Sequence, residues 1–211
     1  MIGGPLAEIV GTAVPGQRAD RIVRYLRGLH SRVENLEQEV KDGLASNAEK
    51  IDLIEEGGYQ AARATTQERI DMIIEAVSRG ISENDTEIIR RKRLLFLLGQ
   101  LDEDEVEILY AYGKGYGGLD RDAFSKVKRP RPSRLGSSDD DIAKNSLFDA
   151  GENHLHRLGL LKKNYGHLKS GQTPDFDHQK GDFKHRPEIS HLGRLLLKEI
   201  GLASSFDEQS P

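Results

Sequence analysis

Histidine and aspartate side chains are concentrated in the last third of the chain. Six of the seven histidines lie between residues 154 and 191. The candidate metal ligands of the stretch PDFDHQKGD are Asp175, Asp177, His178 and Asp182. Imidazole and carboxylate groups bind the zinc ions of many hydrolases. His154 and His156, however, are two residues apart and would point to opposite sides of a helix. We therefore predict that the chain has no metal site. A His/Asp metal-dependent hydrolase is the second alternative function.

The usual sequence signatures of catalysis and cofactor binding are missing. The chain has no HExxH motif, no P-loop, no dinucleotide fingerprint and no nucleophile elbow. The glycine-rich YGKGYGG at 112–118 is not preceded by a strand pattern, and no Ser or Thr follows its lysine. There is no cysteine, which excludes disulfides and thiolate chemistry. We predict a non-enzymatic protein that has no catalytic residue and needs no cofactor.

Basic residues cluster in the middle of the chain, although the net charge is −4. Residues 113–170 hold 12 Lys and Arg against 7 Asp and Glu. The cations that we predict to contact phosphate lie in a basic loop at 113–141 and in the extended segments after it: Lys126, Lys128, Arg129, Arg131, Arg134, Lys162, Lys163 and Lys184. Such contacts go to the nucleic-acid backbone and carry no sequence information. Non-specific nucleic acid is therefore one candidate partner.

A helix predicted at 142–158 would occupy the position of a recognition helix. Its apolar spacing predicts that Leu147, Leu155 and Leu158 lie inside, with Gly159 ending the helix. The residues predicted to face outward are Asn145, Asp149, Glu152, Asn153 and His156. The asparagines could read adenine, but two exposed carboxylates would repel phosphate. This favours contact with a protein, and a DNA-binding winged-helix transcriptional regulator is the first alternative.

The segment at 19–40 has apolar residues at alternating spacings of three and four, which is the pattern of a heptad seam. The residues of this predicted self-association seam are Ile22, Leu26, Leu29, Val33 and Leu36. Arginines dominate its first half and glutamates its end, so that an antiparallel copy would match basic to acidic ends. We predict contact with a second copy or another protein; the alternative is packing within its own domain.

The remaining patterns predict a mainly α protein with one small β-hairpin. Thr65 with Glu68 and Asp102 with Glu105 have the spacing of capping boxes, and a helix before them is expected to break at Gly57-Gly58. LLKKNYGHLK and DFKHRPEI predict the two extended segments of the hairpin. We expect an N-terminal helical region at 1–81, a winged-helix-like domain at 82–201 and a flexible tail at 202–211.

Two resemblances extend this interpretation. The order of the elements over 86–201, with a helix that ends on Gly-Leu-Leu and a last helix that opens with Leu-Gly, resembles a winged-helix module. The opening GPLAEIVG at 4–11, the Arg-rich helix and the ending LGRLLLKEIG at 192–201 make the chain similar to abortive-infection alpha-like proteins of bacteria and prophages. That resemblance implies a role in defence against phage and transfers no catalytic residue.

Hydropathy predicts a cytoplasmic protein. No stretch approaches the 18 consecutive apolar residues typical of a transmembrane helix. The N-terminal MIGGPLAEIVGTAVPG could touch a membrane surface beside the Arg-rich helix, but its two prolines limit any helix there to about two turns. We expect this segment to pack against the protein's own helices.

Overall fold

The computed structural model of the chain describes residues 14–34, 36, 44, 47–82, 85–115, 122–125, 127, 130, 136–178 and 181–202. The described residues form seven helices and two small antiparallel ladders, so the predicted class, mainly α with a small β-hairpin, is confirmed. The chain divides into two compact units. The first unit comprises residues 1–100 with 199–201, and the second comprises residues 101–198 with 202–211.

In its described residues the first unit has four helices: α1 (Val14–Val33), α2 (Ala48–Arg63), α3 (Gln67–Ile81) and α4 (Asp85–Gln100). We predicted a domain boundary at 81/82, but the two units meet in the sequence at Gln100 and Leu101, one helix later. The reason is the packing of α4, which contacts α3 and α2. Leu94, Leu95 and Leu98 of α4 are buried there.

Tyr25 on α1 determines how α1 and α2 pack. The phenol is fully buried, its hydroxyl donates a hydrogen bond to the carbonyl oxygen of Ile54 at 2.9 Å, and burial raises its pKa. A Cβ on Gly57 would collide with this hydroxyl and would lie 2.8 Å from Cγ2 of Val77. The predicted break at Gly57-Gly58 is therefore wrong. The α2 helix continues through both glycines because the first of them makes room for Tyr25.

Side chains of α2 and α3 donate hydrogen bonds to carbonyl groups in the second half of α4. The amide of Gln60 donates to the carbonyl oxygen of Leu95 at 2.9 Å, and the buried guanidinium of Arg69 donates to that of Leu98. The last four carbonyls of a helix lack partners within the helix, and Arg69 supplies one to Leu98, which lies two residues before the end of α4 at Gln100. The α3 helix begins at Thr66, whose hydroxyl accepts from the Arg69 backbone at 3.2 Å, and not at the predicted Thr65.

The first unit is completed by residues from the far end of the chain. Glu199 is buried within it and forms an ion pair with Arg91 of α4. A Cβ on Gly201 would lie 3.2 Å from the side chain of Glu75 on α3. Three residues near position 200 thus belong to a unit whose other residues all lie before position 101.

The second unit contains α5 (Glu103–Lys114), α6 (Asp139–Arg157), β1 (Leu161–Asn164), β2 (Phe176–Asp177), β3 (Asp182–Phe183), β4 (Arg186–Ile189) and α7 (His191–Glu199). The β1 and β4 strands pair antiparallel from Leu161↔Ile189 to Asn164↔Arg186, and β2 pairs with β3. The predicted hairpin is confirmed, as is the capping box of Asp102 and Glu105 at the start of α5. The first helix of the predicted winged-helix-like module, α4, belongs to the first unit, and the second unit has the order helix, helix, hairpin, helix among its described residues.

A glycine turn joins α6 to the hairpin. Gly159 has a φ of +73°, and the backbone N–H of Leu160 donates to the carbonyl oxygen of Leu155 at 2.9 Å, so Gly159 ends the helix as predicted. Ser190 then caps α7, because its hydroxyl accepts from the Gly193 backbone at 3.0 Å. The same hydroxyl donates to the carbonyl oxygen of Gly159 at 2.6 Å, which ties the start of α7 to the end of α6.

Candidate functional site

The predicted self-association seam on α1 is split by packing within the first unit. Leu29 is buried against that unit, Ile22 and Val33 are half-buried, and Leu36 lies just beyond the helix. Leu26 is 48% exposed. Val23, which the seam did not include, is 43% exposed and lies one turn before Leu26. The edge of the seam that remains accessible therefore consists of Val23 and Leu26.

The five cations of the predicted basic loop lie outside the described residues. These are Lys126, Lys128, Arg129, Arg131 and Arg134. Their predicted contact with phosphate remains a prediction.

The three hairpin lysines that we predicted to bind phosphate each lie next to a carboxylate. Nζ of Lys162 is 3.5 Å from Glu188, and Nζ of Lys184 is 3.9 Å from Asp175. Lys163 forms an ion pair with Asp182. The Lys163 ammonium and the Phe183 N–H, both bonded to Asp182, hold the pKa of that carboxyl below its usual range. The hairpin therefore presents its lysines already partly neutralised.

The outward face predicted for α6 is wrong at two residues. Leu147 is 74% exposed instead of buried, and Glu152 is buried instead of exposed. Glu152 accepts a hydrogen bond from the hydroxyl of Tyr112 on α5, which explains how a carboxylate can lie inside. Leu155 is fully buried and Asp149 is exposed, both as predicted.

A second buried carboxylate links α5 to α6. Glu105 accepts a hydrogen bond from the backbone N–H of Asp102 at 3.0 Å, and its other oxygen lies 2.7 Å from Nδ1 of His154. Two carboxylates, one phenol and one imidazole thus join the helices. Each has a structural partner, so the group is best explained as a polar element of the core.

Three rings lie together, one from α6 and two from the end of the β1–β4 ladder at Asn164↔Arg186. The rings of His156 and His185 lie 5.7 Å apart, and that of Tyr165 lies 6.0 Å from His185, all edge to face. Burial lowers the pKa of His156, with further contributions from the nearby positive charges of His185 and Lys163. Nδ1 of His185 lies 2.7 Å from the carbonyl oxygen of Phe183, so this nitrogen carries the proton and donates.

An open cleft of about 560 Å³ lies beside these rings. It is lined by Asn164, Tyr165, Gly166, Lys184, His185 and Arg186. Sequence reasoning identified Lys184 but missed the cleft, because its walls come from segments about 20 residues apart that meet through the strand register. The available signal was the tripeptide Lys-His-Arg, which runs into the start of the short strand β4.

Two observations bear on the other predicted partners. Among the described residues, no three His, Cys, Asp or Glu side chains come together as a metal ion would require. None of the described helices is both long and apolar enough to cross a bilayer.

Comparison with known proteins gives no relative. No protein-family model, no curated protein and no solved structure matches the chain.

Proposed function

We propose that this protein is a non-enzymatic interaction component that associates with a second copy of itself through α1. The observation that carries the proposal is the exposure of Leu26 and Val23, side by side on a helix whose opposite face is packed. Apolar side chains that adjoin on a helix at a spacing of three form the kind of stripe that partner helices bury. Burying them would remove apolar area from water.

The charge order along α1 supports a second copy as the occupant. The arginines of the helix are Arg18, Arg21, Arg24, Arg27 and Arg32, and the next charged residues in the sequence are Glu34, Glu37 and Glu39. Two antiparallel copies would place the arginines of one helix beside the glutamates that follow the other helix in the sequence. Opposite charges at the edges of a helical seam determine partner choice and orientation.

The surface of the second unit favours a protein partner over an operator sequence. Helix α6 exposes Leu147 and Asp149, and begins with Asp139, Asp140 and Asp141. Carboxylates are repelled by the phosphate backbone. An exposed leucine can form no hydrogen bond to a base and can contact only the methyl group of thymine. These features support an interaction protein, with the DNA-binding regulator as the weaker alternative.

The resemblance to abortive-infection alpha-like proteins supports bacterial or prophage defence, in the cytoplasm, as the setting. Phage plating on cells that express the wild-type chain tests this part. We expect fewer plaques than on cells that express the Leu26→Glu variant. Equal plating on cells with and without the protein, across a phage panel, would contradict the defence role.

Light scattering coupled to gel filtration tests the self-association. The variant Val23→Glu/Leu26→Glu should elute at half the mass of the wild type, because two charges would have to be buried in the contact. Tyr59→Glu is the matched control, since Tyr59 is an exposed ring on α2 of the same unit. It should keep the wild-type mass.

A third variant separates loss of contact from loss of fold. Leu29→Glu places a charge inside the first unit and should unfold it, which circular dichroism detects. Val23→Glu/Leu26→Glu should retain the wild-type helix content and melting curve. A monomeric wild type, or a folded double variant of unchanged mass, would show that the proposed contact is wrong.

A further inference from the structure

The cleft of the second unit opens where the two strands of the hairpin part. The ladder of β1 and β4 ends at the pair Asn164↔Arg186, and the chain on both sides then diverges. Gly166 turns there with a φ of +71°, and its N–H donates to Oδ1 of Asn164 at 2.8 Å. The cleft volume of about 560 Å³ is in the range of small-ligand sites.

The walls of the cleft carry positive charge. Lys184, His185 and Arg186 are consecutive, and none of the six lining residues is acidic. Three carboxylates lie near the cleft walls: Asp175, 3.9 Å from Lys184; Asp182, 3.8 Å from His185 and paired with Lys163; and Glu188, which accepts a hydrogen bond from Asn164 at 2.9 Å and lies 3.5 Å from Lys162. Among the described residues, no carboxylate lies within ion-pair distance of Arg186. Its planar guanidinium is therefore available for two-point binding of an oxyanion.

An aromatic ring lies beside these cations. Tyr165 lines the cleft, is 39% exposed and lies edge to face with His185, so part of its ring is accessible to a ligand. Nδ1 of His185 is engaged by the Phe183 carbonyl, which fixes the ring at the wall of the cleft. An open aromatic face next to a phosphate-binding cation is the combination that proteins use for nucleotides, with the base stacked and the phosphate held by charge.

We propose that this cleft binds one nucleotide unit, with its phosphate between Arg186 and Lys184 and its base against Tyr165. The shared chemistry is a phosphate ester next to a planar base, whether in a free mononucleotide or in a single strand. A duplex does not fit this arrangement, because its bases are stacked inside and cannot reach Tyr165.

Calorimetric titration of the full chain tests the site with four probes: adenosine monophosphate, inorganic phosphate, adenosine, and a short single-stranded oligonucleotide without terminal phosphates. We expect saturable one-to-one binding of the monophosphate. Inorganic phosphate should bind about tenfold more weakly because it lacks the base, and adenosine weaker still. Arg186→Gln should weaken monophosphate binding by about tenfold or more, and Tyr165→Ala should abolish the advantage over inorganic phosphate.

Arg157→Gln is the matched control, since Arg157 is an exposed arginine of the same unit that does not line the cleft. It should leave the affinity unchanged. If the oligonucleotide binds more tightly than the monophosphate, with an affinity that falls with salt, the natural source is a strand; the reverse order assigns a free nucleotide. The proposal is overturned if no phosphate-bearing probe saturates, or if Arg186→Gln and Arg157→Gln bind the monophosphate equally well.

Discussion

The hydroxyl of Tyr112 on α5 donates a hydrogen bond to the carboxylate of Glu152 on α6, inside the second unit. Glu152 is 9% exposed, so its charge is stabilised by the protein and hardly by water. A buried acceptor that loses its donor keeps the full cost of its desolvation. Removing the phenol hydroxyl should therefore cost more stability than this one hydrogen bond contributes.

Tyr112→Phe should lower the free energy of unfolding by about 1–3 kcal/mol, because a buried carboxylate loses its donor. Urea denaturation followed by circular dichroism measures the change. Tyr59→Phe, at an exposed phenol, should be neutral. In a Glu152→Ala background the cost of Tyr112→Phe should shrink, and an unchanged cost there would show that the hydrogen bond does not carry the effect.

The same substitution should change stability by very different amounts at two leucines of α6. Leu155 is fully buried, so Leu155→Ala should cost about 2–5 kcal/mol of stability. Leu147 is mostly exposed, and Leu147→Ala should change stability by less than about 0.5 kcal/mol. A denaturant melt of each variant compares them. Equal losses would mean that Leu147 is covered in solution.

The adjacent glycines of α2 offer a second matched pair. Gly57→Ala should destabilise the first unit by about 1–3 kcal/mol, because its Cβ would collide with Tyr25 and Val77. At Gly58 a Cβ would meet only Tyr25, at an ordinary 3.8 Å, so Gly58→Ala should stabilise by about 0.5–1 kcal/mol through helix propensity. Thermal melts of the two variants should show a lower melting temperature for Gly57→Ala and a higher one for Gly58→Ala. A stabilising Gly57→Ala would contradict the close packing of α1 on α2.

Acid should weaken the second unit through His156. Burial lowers the pKa of this imidazole in the folded protein below its ordinary value of 6.5. The unfolded chain therefore takes up the proton more readily. The stabilising contribution is present above that ordinary value and is lost as the pH falls through the folded pKa.

We expect His156→Gln to lose less stability than the wild type between about pH 8 and about pH 5. His167→Gln, at an exposed histidine, should follow the wild-type curve. Unfolding free energies across this range decide between the outcomes. Parallel curves for wild type and His156→Gln would assign the acid sensitivity to another group.

Local signals in the sequence predicted the elements but not their partners. The Asp102 capping box, the Gly159 stop and the two strands of the hairpin depend on neighbouring residues, and all three are confirmed. The burial of Leu147 was predicted from periodicity, which gives a helix a face but not the length over which that face is covered. Helix α6 has 19 residues and α5 has 12, and the buried residues of α6, Glu152 and Leu155, lie near its end.

Interior polar pairs and the cleft required the three-dimensional arrangement. Nothing in the spacing of α6 distinguishes Glu152 from Asp149, because the difference lies in Tyr112, 40 residues earlier. Glycine generally destabilises a helix, but α2 continues through Gly57. Only the three-dimensional position of Tyr25 shows that a side chain would not fit there. The cleft depends on the register that places Arg186 opposite Asn164.

The return of Glu199 to the first unit has a consequence for synthesis on the ribosome. Domains that are continuous in sequence fold as they emerge, N-terminal first. Here Arg91 must wait for its buried partner until residue 199 has been translated. A nascent chain halted after residue 100 should therefore expose the guanidinium of Arg91 and offer it to chaperones. The emergence of residues 199–201, rather than the end of α4, should mark the moment when the N-terminal helices become protease-resistant.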